Sequence, residues 1–438
     1  MTGTGAPGLI IAAPASGSGK TLITLGLVRA LALQGHRIAP FKTGPDYIDP
    51  AFLAAAAARA CVNLDTWAMR PATLADLVRA LGADADLVVG EGVMGLFDGG
   101  PGGAGSTAEL AARSGWPVVL VVDAKGMGAS AGALVAGFAR HRPDVAVAGV
   151  IANRVRGARH GAIIAAACAD AAGIGMLGAL PRDDALALPS RHLGLVQAAE
   201  HTALETLIER AADWIAAHVD LAGLQALARP ARIAAGYAGT GLVPPGQRIA
   251  LAQDPAFAFS YAAQIAAWRQ AGAAIATFSP LADQAPDEGA DAVVLPGGYP
   301  ELHAGRLAGN ARFLAGLCAA AARGATVYGE CGGYMVLGET LIDGAGARHA
   351  MAGLLPLVTS FAAPKLHLGY RQAVALSGSP LGKAGTEFRG HEFHYATAVS
   401  RGGAPLFHVA DAEGRRRGDE GIVAGRVAGS FLHLIDQV

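Results

Sequence analysis

The chain has 438 residues, of which 52% are hydrophobic and 16% are charged, and its formal net charge is −1. This length predicts two or three domains, and the high apolar content argues against a disordered chain. The near-zero net charge argues against nucleic-acid binding, which requires a basic surface.

The chain has four cysteines, and none of them forms a C-x-x-C pair. A disulfide framework or a thiolate zinc site is therefore not expected, and a reducing compartment fits.

No basic segment precedes the apolar residues 9–11, and Asp123 and Lys125 interrupt the apolar stretch 118–138. We therefore expect neither a signal peptide nor a membrane span, and we predict a cytoplasmic protein. Three of the cysteines are predicted to be small buried apolar residues: Cys61, Cys168 and Cys318.

Short β-branched runs alternate with alanine-rich helical segments through the first two hundred residues. The predicted strands are 9–13, 37–41, 87–90, 118–122 and 146–152. Predicted helices include 21–34, 130–140 and a longer segment at about 195–227. Continuous apolar strands separated by helices indicate a parallel sheet that is covered on both faces.

A passage rich in glycine and proline then predicts a linker at residues 230–247. It would separate a domain of residues 1–229 from a second domain of residues 248–438. The alternation restarts after the linker, with predicted helices near 261–271 and 310–323. The predicted strands are 249–252, 274–278, 292–295, 326–328 and, near the end, 430–434. Both halves are therefore predicted to be α/β.

The segment 14–21, PASGSGKT, has the pattern of a phosphate-binding loop between a strand and a helix. Its glycines let backbone N–H groups converge on phosphate oxygens, and the helix N-terminus favours the same anion. The lysine would contact the terminal phosphates and the threonine hydroxyl would bind magnesium. Pro14 stands where the usual pattern begins with glycine, so the turn is expected to open differently. The predicted nucleotide-binding residues are Ser16, Gly17, Ser18, Gly19, Lys20 and Thr21.

Acidic residues follow two of the other predicted strands. Segment 41–50 contains Lys42, Asp46 and Asp49, and Glu91 follows strand 87–90. Ligands of parallel α/β sheets bind at the carboxyl ends of the strands, and carboxylates beside a phosphate loop suit magnesium. Asp123 ends a third strand in the same way, so the spacing leaves the choice between Glu91 and Asp123 open.

Segment 327–334, VYGECGGY, reads as a strand that runs into a sharp turn around Cys331 and then into a helix. This is the thiol version of a nucleophile elbow, in which flanking glycines relieve crowding. The helix N-terminus is expected to lower the pKa of the Cys331 thiol. Backbone N–H groups of segment 296–299 are expected to contribute to an oxyanion hole.

A cysteine nucleophile needs a general base, and a histidine distant in sequence is expected. His433, in the last predicted strand, is best placed, and His391 and His394 compete with it. The latter two have the spacing H-E-x-H, which does not match the H-E-x-x-H of a zinc-binding helix.

Taken in order, these motifs resemble those of the cobyrinic acid a,c-diamide synthases, the glutamine-dependent amidating enzymes of cobalamin biosynthesis, for which hydrogenobyrinic acid is the cobalt-free form of the substrate. The resemblance covers nearly the whole chain. The segments that carry it are 13–21, 42–50, 91–99, 149–155, 190–195, 296–300, 330–334, 389–395 and 429–433.

The resemblance implies an N-terminal P-loop domain like that of dethiobiotin synthetase and a C-terminal class I-type glutamine amidotransferase domain. It implies that ATP, with Mg²⁺, phosphorylates the a- and c-acetate carboxylates of a corrin macrocycle. L-Glutamine would be hydrolysed at the second site, and the ammonia would displace the phosphate. A homodimer is expected at the level of the family.

The resemblance also implies roles for individual residues. Cys331 would be the nucleophile and His433 its base. Asp49 would lie near the reacting carboxylate, Lys42 would be a further catalytic residue, and Asn153 would contact the adenine. The groups implied for magnesium are Thr21, Asp46 and Glu91.

One feature departs from ordinary class I glutaminases, which carry a triad acid in the pattern H-x-E. Leu434 and Ile435 follow His433 here, so the pattern supplies no acid. Glu392 and Asp436 are the candidates that the sequence offers.

Several alternatives remain open on the sequence alone. Cobyric acid synthase, nickel-sirohydrochlorin a,c-diamide synthase and CTP synthase also combine a related P-loop domain with a glutaminase domain. The segment 42–50 favours the a,c-diamide enzymes, and CTP synthase would carry H-x-E. A different class is a ParA-like nucleotide switch with an inert glutaminase-like module, against which the intact Cys331 and His433 argue.

Overall fold

A computed structural model of the chain describes residues 5–186, 190–191, 194–233 and 241–438. Contacts among these residues divide the chain into two compact units. The first holds the described residues up to 67 and from 71 to 233, and the second holds residues 68–70 and 241–438. Residues 234–240 of the predicted linker and residues 192–193 of segment 190–195 lie outside the described residues. No helix in the described part of the chain is long and apolar enough to cross a membrane.

The first unit alternates strands with helices. Its strands are β1 (Gly8–Ala12), β2 (Ile38–Thr43), β3 (Val62–Leu64), β4 (Leu87–Glu91), β5 (Val118–Asp123), β6 (Val147–Val155), β7 (Met176–Pro181), β8 (Ser190–Arg191) and β9 (Gly194–Leu195). Its helices are α1 (Lys20–Leu33), α2 (Asp49–Ala57), α3 (Pro71–Ala83), α4 (Thr107–Ser114), α5 (Ser130–His141), α6 (Ala158–Ala172), α7 (Leu204–His218) and α8 (Leu221–Leu227).

Seven of these strands form one sheet in the order β3-β2-β4-β1-β5-β6-β7, and every pairing in it is parallel. The central strands β1, β2 and β4 are buried along their whole length, as expected where apolar runs are covered on both faces. The predicted parallel α/β sheet is therefore confirmed. The carboxyl ends of its strands carry the phosphate loop after β1, the Lys42 segment after β2 and Glu91 at the end of β4.

The single helix predicted at about 195–227 is wrong. The chain forms two helices there, because Val219 leaves the helical path and bridges to Gly178 in β7. Asp220 then caps the second helix, and its side chain accepts a hydrogen bond from the Gly223 amide at 2.9 Å. The strands β3 and β7 were not predicted.

The second unit begins with α/β alternation and ends in antiparallel strands. Its helices are α9 (Ala262–Gln270), α10 (Ala304–Gly309), α11 (Ala311–Ala322) and α12 (Gly332–Leu337). Its strands are β10 (Arg248–Ala252), β11 (Ala274–Phe278), β12 (Ala292–Leu295), β13 (Thr326–Glu330), β14 (Thr340–Ile342), β15 (Arg348–Ala350), β16 (Leu357–Ser360), β17 (His367–Ala375), β18 (Glu387–His394), β19 (Thr397–Arg401), β20 (Phe407–Asp411), β21 (Arg416–Glu420), β22 (Ile422–Ala424), β23 (Val427–Ser430) and β24 (Leu432–Gln437).

Three sheets organise these strands. The central sheet has the order β11-β10-β12-β13-β23-β22 and is parallel except for the β22–β23 pair. An antiparallel sheet has the order β21-β20-β17-β18-β24, and a smaller sheet has the order β15-β14-β16-β19. The strand predicted at 430–434 is wrong as one element. β23 ends at Ser430 in the central sheet, and β24 starts at Leu432 in the antiparallel sheet.

Candidate active sites

The phosphate loop has the backbone shape that its glycines allow. Gly17 and Gly19 have φ angles of 77° and 94°, which favour glycine over residues with a Cβ. A Cβ at Gly19 would lie only 2.3 Å from Nδ2 of Asn153. That Nδ2 donates a hydrogen bond to the Ser18 carbonyl oxygen at 2.9 Å. Asn153, in β6, is therefore packed directly against the loop.

Lys20 is buried at the start of α1. Its Nζ donates hydrogen bonds to the carbonyl oxygens of Met94 at 2.5 Å and Ala15 at 3.4 Å. Burial lowers the pKa of Lys20, and the charge of Glu91 opposes that shift. The loop therefore holds a cation against backbone oxygens, where phosphate oxygens would be stronger partners.

The residues predicted after β2 and β4 meet around Lys42. Its Nζ lies 2.6 Å from Oδ2 of Asp49, 2.8 Å from Oε1 of Glu91 and 3.8 Å from Oδ2 of Asp46. The Thr21 hydroxyl donates to Oε1 of Glu91 at 2.6 Å, which joins this cluster to the phosphate loop. The structure thus brings together five residues that the sequence placed on three separate segments.

The charges in this cluster depend on one another. Burial disfavours the charge on Lys42, but Asp49, Glu91 and Asp46 together raise its pKa above the ordinary value. Burial and the neighbouring Asp49 raise the pKa of Asp46 to about 7. Burial also raises the pKa of Glu91, against the attraction of Lys42. A polyanion or a metal ion that binds in this cluster would therefore change the pKa values of all three residues.

Asp123, the rival to Glu91, has other partners. It forms an ion pair with Arg154 and accepts a hydrogen bond from the Lys125 amide at 3.0 Å. Arg154 in turn donates to the Gly17 carbonyl oxygen at 3.1 Å. Of these two acids, Glu91 is the one that contacts the Thr21 hydroxyl, and Asp49 also accepts a hydrogen bond from that hydroxyl, at 3.4 Å.

Oxygen ligands that suit Mg²⁺ are present beside the loop. Thr21 Oγ1 and Glu91 lie together, and Oε2 of Glu91 is buried without a hydrogen-bond partner in the described part of the chain. A hard divalent ion would satisfy such an oxygen, so these two residues fit the ion. Asp46 lies beside Lys42 instead, and its Oδ1 accepts hydrogen bonds from the backbone amides of Ile48 and Asp49.

Asn63 is a residue that the sequence reasoning missed. It lies buried in β3, and its Nδ2 donates to the carbonyl oxygens of Gly44 at 2.8 Å and Asp46 at 2.5 Å. These bonds hold the segment that carries Asp46. A buried amide in a short apolar run was the available signal, but β3 itself was not predicted.

Cys331 lies at the sharp turn between β13 and α12, with φ 47° and ψ −105°. A positive φ at a non-glycine residue marks a strained backbone, as a nucleophile elbow requires. The Cys331 amide donates to the Ser430 carbonyl oxygen at 2.8 Å. A Cβ at Gly333 would lie 2.0 Å from the Leu295 carbonyl oxygen, so only glycine fits where the turn crosses the end of β12.

His433 lies next to Cys331, and Gly297 packs against both residues. A Cβ at Gly297 would be 2.4 Å from Cε1 of His433 and 3.3 Å from Cβ of Cys331. A Cβ at Gly332 would lie 3.0 Å from the Gly298 amide nitrogen. The segment predicted to supply oxyanion-hole donors therefore borders both the thiol turn and the histidine.

The expectation that Cys331 has a lowered pKa is wrong. Burial raises the pKa of its thiol, the charge of Glu301 raises it further, and the Gly332 amide opposes the shift only in part. The helix that follows has six residues and its first turn is buried, so its dipole does not outweigh the loss of water. The thiol therefore needs a base at the moment of attack.

His433 is suited to accept that proton. Burial lowers its pKa to about 3, and the neighbouring rings of His391 and His394 act in the same direction. The imidazole is thus neutral at physiological pH and has a nitrogen free of a proton. His391 pairs with His433 across the β18–β24 register, whereas the His394 ring stacks on the rings of His367 and Phe431.

The two candidate triad acids are engaged elsewhere. Glu392 lies 2.7 Å from Arg371 and 3.0 Å from His394, and Arg371 and His394 help to lower its pKa to about 2 although burial opposes this. Asp436 lies 2.8 Å from Arg70, which groups with the second unit.

Glu330 faces the histidine instead. Its Oε2 lies 3.9 Å from Nδ1 of His433. The sequence reasoning did not identify Glu330, because its position depends on the path of β24 beside the end of β13.

Two of the three remaining cysteines agree with the prediction. Cys61 and Cys168 are buried, but Cys318 is exposed, so the prediction for Cys318 is wrong. Cys318 lies on the outer side of α11, whose buried side carries Phe313, Leu317 and Ala320.

Comparison with protein families matches each half of the chain separately. Residues 9–196 match the CobQ/CobB/MinD/ParA nucleotide binding domain, and residues 248–437 match the CobB/CobQ-like glutamine amidotransferase domain. Together with the phosphate loop and the Cys331–His433 pair, these matches define a glutamine amidotransferase joined to a nucleotide-binding domain. Both predicted domain types are thereby confirmed.

Curated relatives match almost the whole chain. Hydrogenobyrinate a,c-diamide synthase of Rhodobacter capsulatus is 57% identical over 436 residues, which cover 98% of this chain and 99% of the relative. The proteins of the same name from Brucella suis and Rhizobium meliloti are 55% and 53% identical, with 98% of this chain covered and 98% and 99% of the relatives. The chain belongs to the hydrogenobyrinate a,c-diamide synthase family. It is therefore a carbon–nitrogen ligase that uses glutamine as nitrogen donor, and the nucleotide-switch alternative does not hold.

Proposed function

We propose that the protein uses ATP and glutamine to amidate the a- and c-acetate carboxylates of hydrogenobyrinic acid during cobalamin biosynthesis. The names of its relatives support the cobalt-free macrocycle over cobyrinic acid. The observation that carries the chemistry is the Lys42 cluster beside the phosphate loop, because it supplies charge where a carboxylate and a phosphate must meet.

The first step is transfer of the γ-phosphoryl group to a substrate carboxylate. A carboxylate oxygen forms a bond to the γ-phosphorus, the bond to the bridging oxygen breaks, and ADP leaves. Lys20 and Lys42 offset the negative charge that gathers in this step, which depends on positioning and electrostatics. Thr21 and Glu91 would hold Mg²⁺, which neutralises phosphate charge when bound. Asp49, held by Lys42, would lie beside the reacting carboxylate.

The second step releases ammonia from glutamine. Sγ of Cys331 attacks the side-chain amide carbon while His433 takes the thiol proton and passes it to the departing ammonia. Water then hydrolyses the thioester with His433 as base, and glutamate leaves. Amides of segment 297–298 would stabilise the oxyanion.

In the third step, ammonia attacks the acyl carbon of the mixed anhydride. The bond between that carbon and the phosphate oxygen breaks, so the amide forms and inorganic phosphate leaves. Phosphorylation is needed because a free carboxylate is a poor acyl donor. The sequence repeats at the second acetate.

An isotope experiment tests the acyl phosphate. Hydrogenobyrinic acid labelled with oxygen-18 in its acetate carboxylates is incubated with ATP, Mg²⁺ and glutamine. Each amide formed should release one inorganic phosphate that carries one oxygen-18 atom, because the bridging oxygen comes from the carboxylate. Mass spectrometry of the macrocycle should show two amides. Label in AMP would indicate an adenylate, and unlabelled phosphate would refute the acyl phosphate.

The same assay separates the related substrates. Cobyrinic acid and nickel-sirohydrochlorin are offered in parallel under identical conditions. We expect the highest kcat/KM with hydrogenobyrinic acid. A clear preference for either metal-containing macrocycle would contradict the proposed substrate while leaving the ligase chemistry intact.

A further inference from the structure

Glu330 is held in a position that the known motif does not explain. Its Oε2 lies 3.9 Å from Nδ1 of His433, and its Oε1 accepts hydrogen bonds from the Leu434 amide at 3.1 Å and the Tyr328 hydroxyl at 3.0 Å. We propose that Glu330 is the positioning carboxylate of His433, supplied by the residue before the nucleophile in place of the acid two residues after the histidine. This inference rests on the proposed roles of Cys331 and His433.

The backbone around Glu330 fixes both ends of the interaction. β13 pairs in parallel with β23, with Glu330 opposite Ser430, and β24 then starts two residues later. The Leu434 amide that binds Glu330 directly follows His433, so one carboxylate contacts the histidine's own strand and faces its ring. Both side chains are buried, which makes the orientation specific.

The proposed reaction requires a carboxylate in the position that Glu330 occupies. When one ring nitrogen of His433 takes the Cys331 proton, the imidazolium carries a positive charge in a buried site. A carboxylate facing Nδ1 stabilises that charge and fixes the ring orientation, as the third member of a triad does. Closing 3.9 Å to hydrogen-bond length needs a movement of roughly 1 Å.

Glu392 and Asp436 could not position His433 without losing their present partners. Glu392 bonds Arg371 and His394, and Asp436 bonds Arg70. Removing either acid from its cation would leave a buried charge unpaired, which is costly. Glu330 contacts hydrogen-bond donors but no permanent cation among the partners that the structure gives.

The ionisation of Glu330 supports the same conclusion. Burial raises its pKa to about 7, and the Leu434 amide and Tyr328 hydroxyl oppose the shift. The titratable groups facing it are Tyr328 on its own strand, Cys331 next in the chain and His433 on β24. Only the ionised carboxylate can stabilise the imidazolium. Because a raised acid pKa delays ionisation, glutamine hydrolysis should rise with pH through about 7.

The test compares Glu330→Gln with the wild type, measuring glutamate release against pH in the full-length enzyme with ATP and macrocycle present. Glutamine keeps the shape and can still accept hydrogen bonds from Leu434 and Tyr328. We expect glutamine-dependent kcat to fall by roughly 10²-fold or more. The rise in the rate of glutamate release near pH 7 should also disappear. Amidation with free ammonia should stay unchanged, which also verifies folding. Glu330→Asp should retain a pH-dependent rise.

Two results would overturn the inference. One is a Glu330→Gln enzyme whose rate and pH profile match the wild type. The other is a slower enzyme that still shows the rise near pH 7, since a purely structural role would lower the rate without removing that step. Glu392→Gln is the matched comparison and should keep the rise, because Glu392 belongs to a different ion pair. Failure of the wild type to release any glutamate would instead refute the proposed function.

Discussion

Lys42 is the buried cation that holds the acidic residues of the first unit together. It is 3% exposed and contacts Asp49 and Glu91 at hydrogen-bond distance. Two carboxylates in a buried site repel each other unless a cation lies between them. The substrate carboxylate and phosphate would add more negative charge at the same place. The cluster is therefore one electrostatic unit, and the loss of Lys42 should affect stability and catalysis together.

We predict that Lys42→Met destabilises the protein by about 3–5 kcal/mol and abolishes amidation with either nitrogen donor, because the buried carboxylates lose their cation. Urea unfolding measures the first effect, and mass spectrometry of the macrocycle measures the second. Lys125→Met is the control. Because Lys125 is exposed in the same unit, its replacement should change the free energy of unfolding by no more than about 0.5 kcal/mol. Normal amidation by Lys42→Met would contradict the role of the cluster.

The residues that sequence reasoning found are those whose roles follow from local patterns. Lys20 and Thr21 lie in a phosphate loop, and Cys331 lies between glycines after a strand. Asn63 and Glu330 were missed because their roles depend on which strand lies beside them. The wrong pKa expectation for Cys331 has the same origin, since burial is a tertiary property that outweighs a short helix's dipole.

At the scale of elements, the turn after β12 determines how closely Cys331 and His433 approach. Gly297 has no positive φ to explain its glycine, so the requirement is space alone. β23 and β24 complete the site because the chain changes sheet between Ser430 and Leu432. A periodic apolar pattern cannot show such a change, and residues 430–434 therefore read as one strand. The main parallel strands were predictable because long apolar runs between helices have few other interpretations.

We predict that Gly297→Ala lowers glutamine-dependent amidation by at least about tenfold, because its methyl group would collide with His433 and displace the ring. Ammonia-dependent amidation should be retained. Gly344→Ala is the matched control, since a Cβ there meets nothing within 4 Å and its φ is not positive. Equal glutaminase activity in the two variants would show that Gly297 does not set this approach.

At the scale of the whole molecule, the chain contains two compact units, and each carries one chemical function. The nucleotide-binding match and the Lys42 cluster lie in the first, and the amidotransferase match and Cys331 lie in the second. The two apolar clusters described for the second unit consist of residues of that unit. Substitutions in the two sites should therefore differ in their effect: those in one site should impair amidation with glutamine only, and those in the other should impair amidation with both glutamine and ammonia.

A pair of variants tests this separation. We predict that Cys331→Ala abolishes glutamine-dependent amidation but keeps ammonia-dependent amidation near the wild-type rate, because ammonia bypasses the thiol. Lys20→Ala should lose amidation with both donors, since without Lys20 the γ-phosphate loses its buried cation and no acyl donor forms. Amide formation is measured by mass spectrometry at saturating glutamine or ammonium salt. If Cys331→Ala also loses ammonia-dependent amidation, or Lys20→Ala keeps it, then activation and ammonia supply do not reside in separate sites.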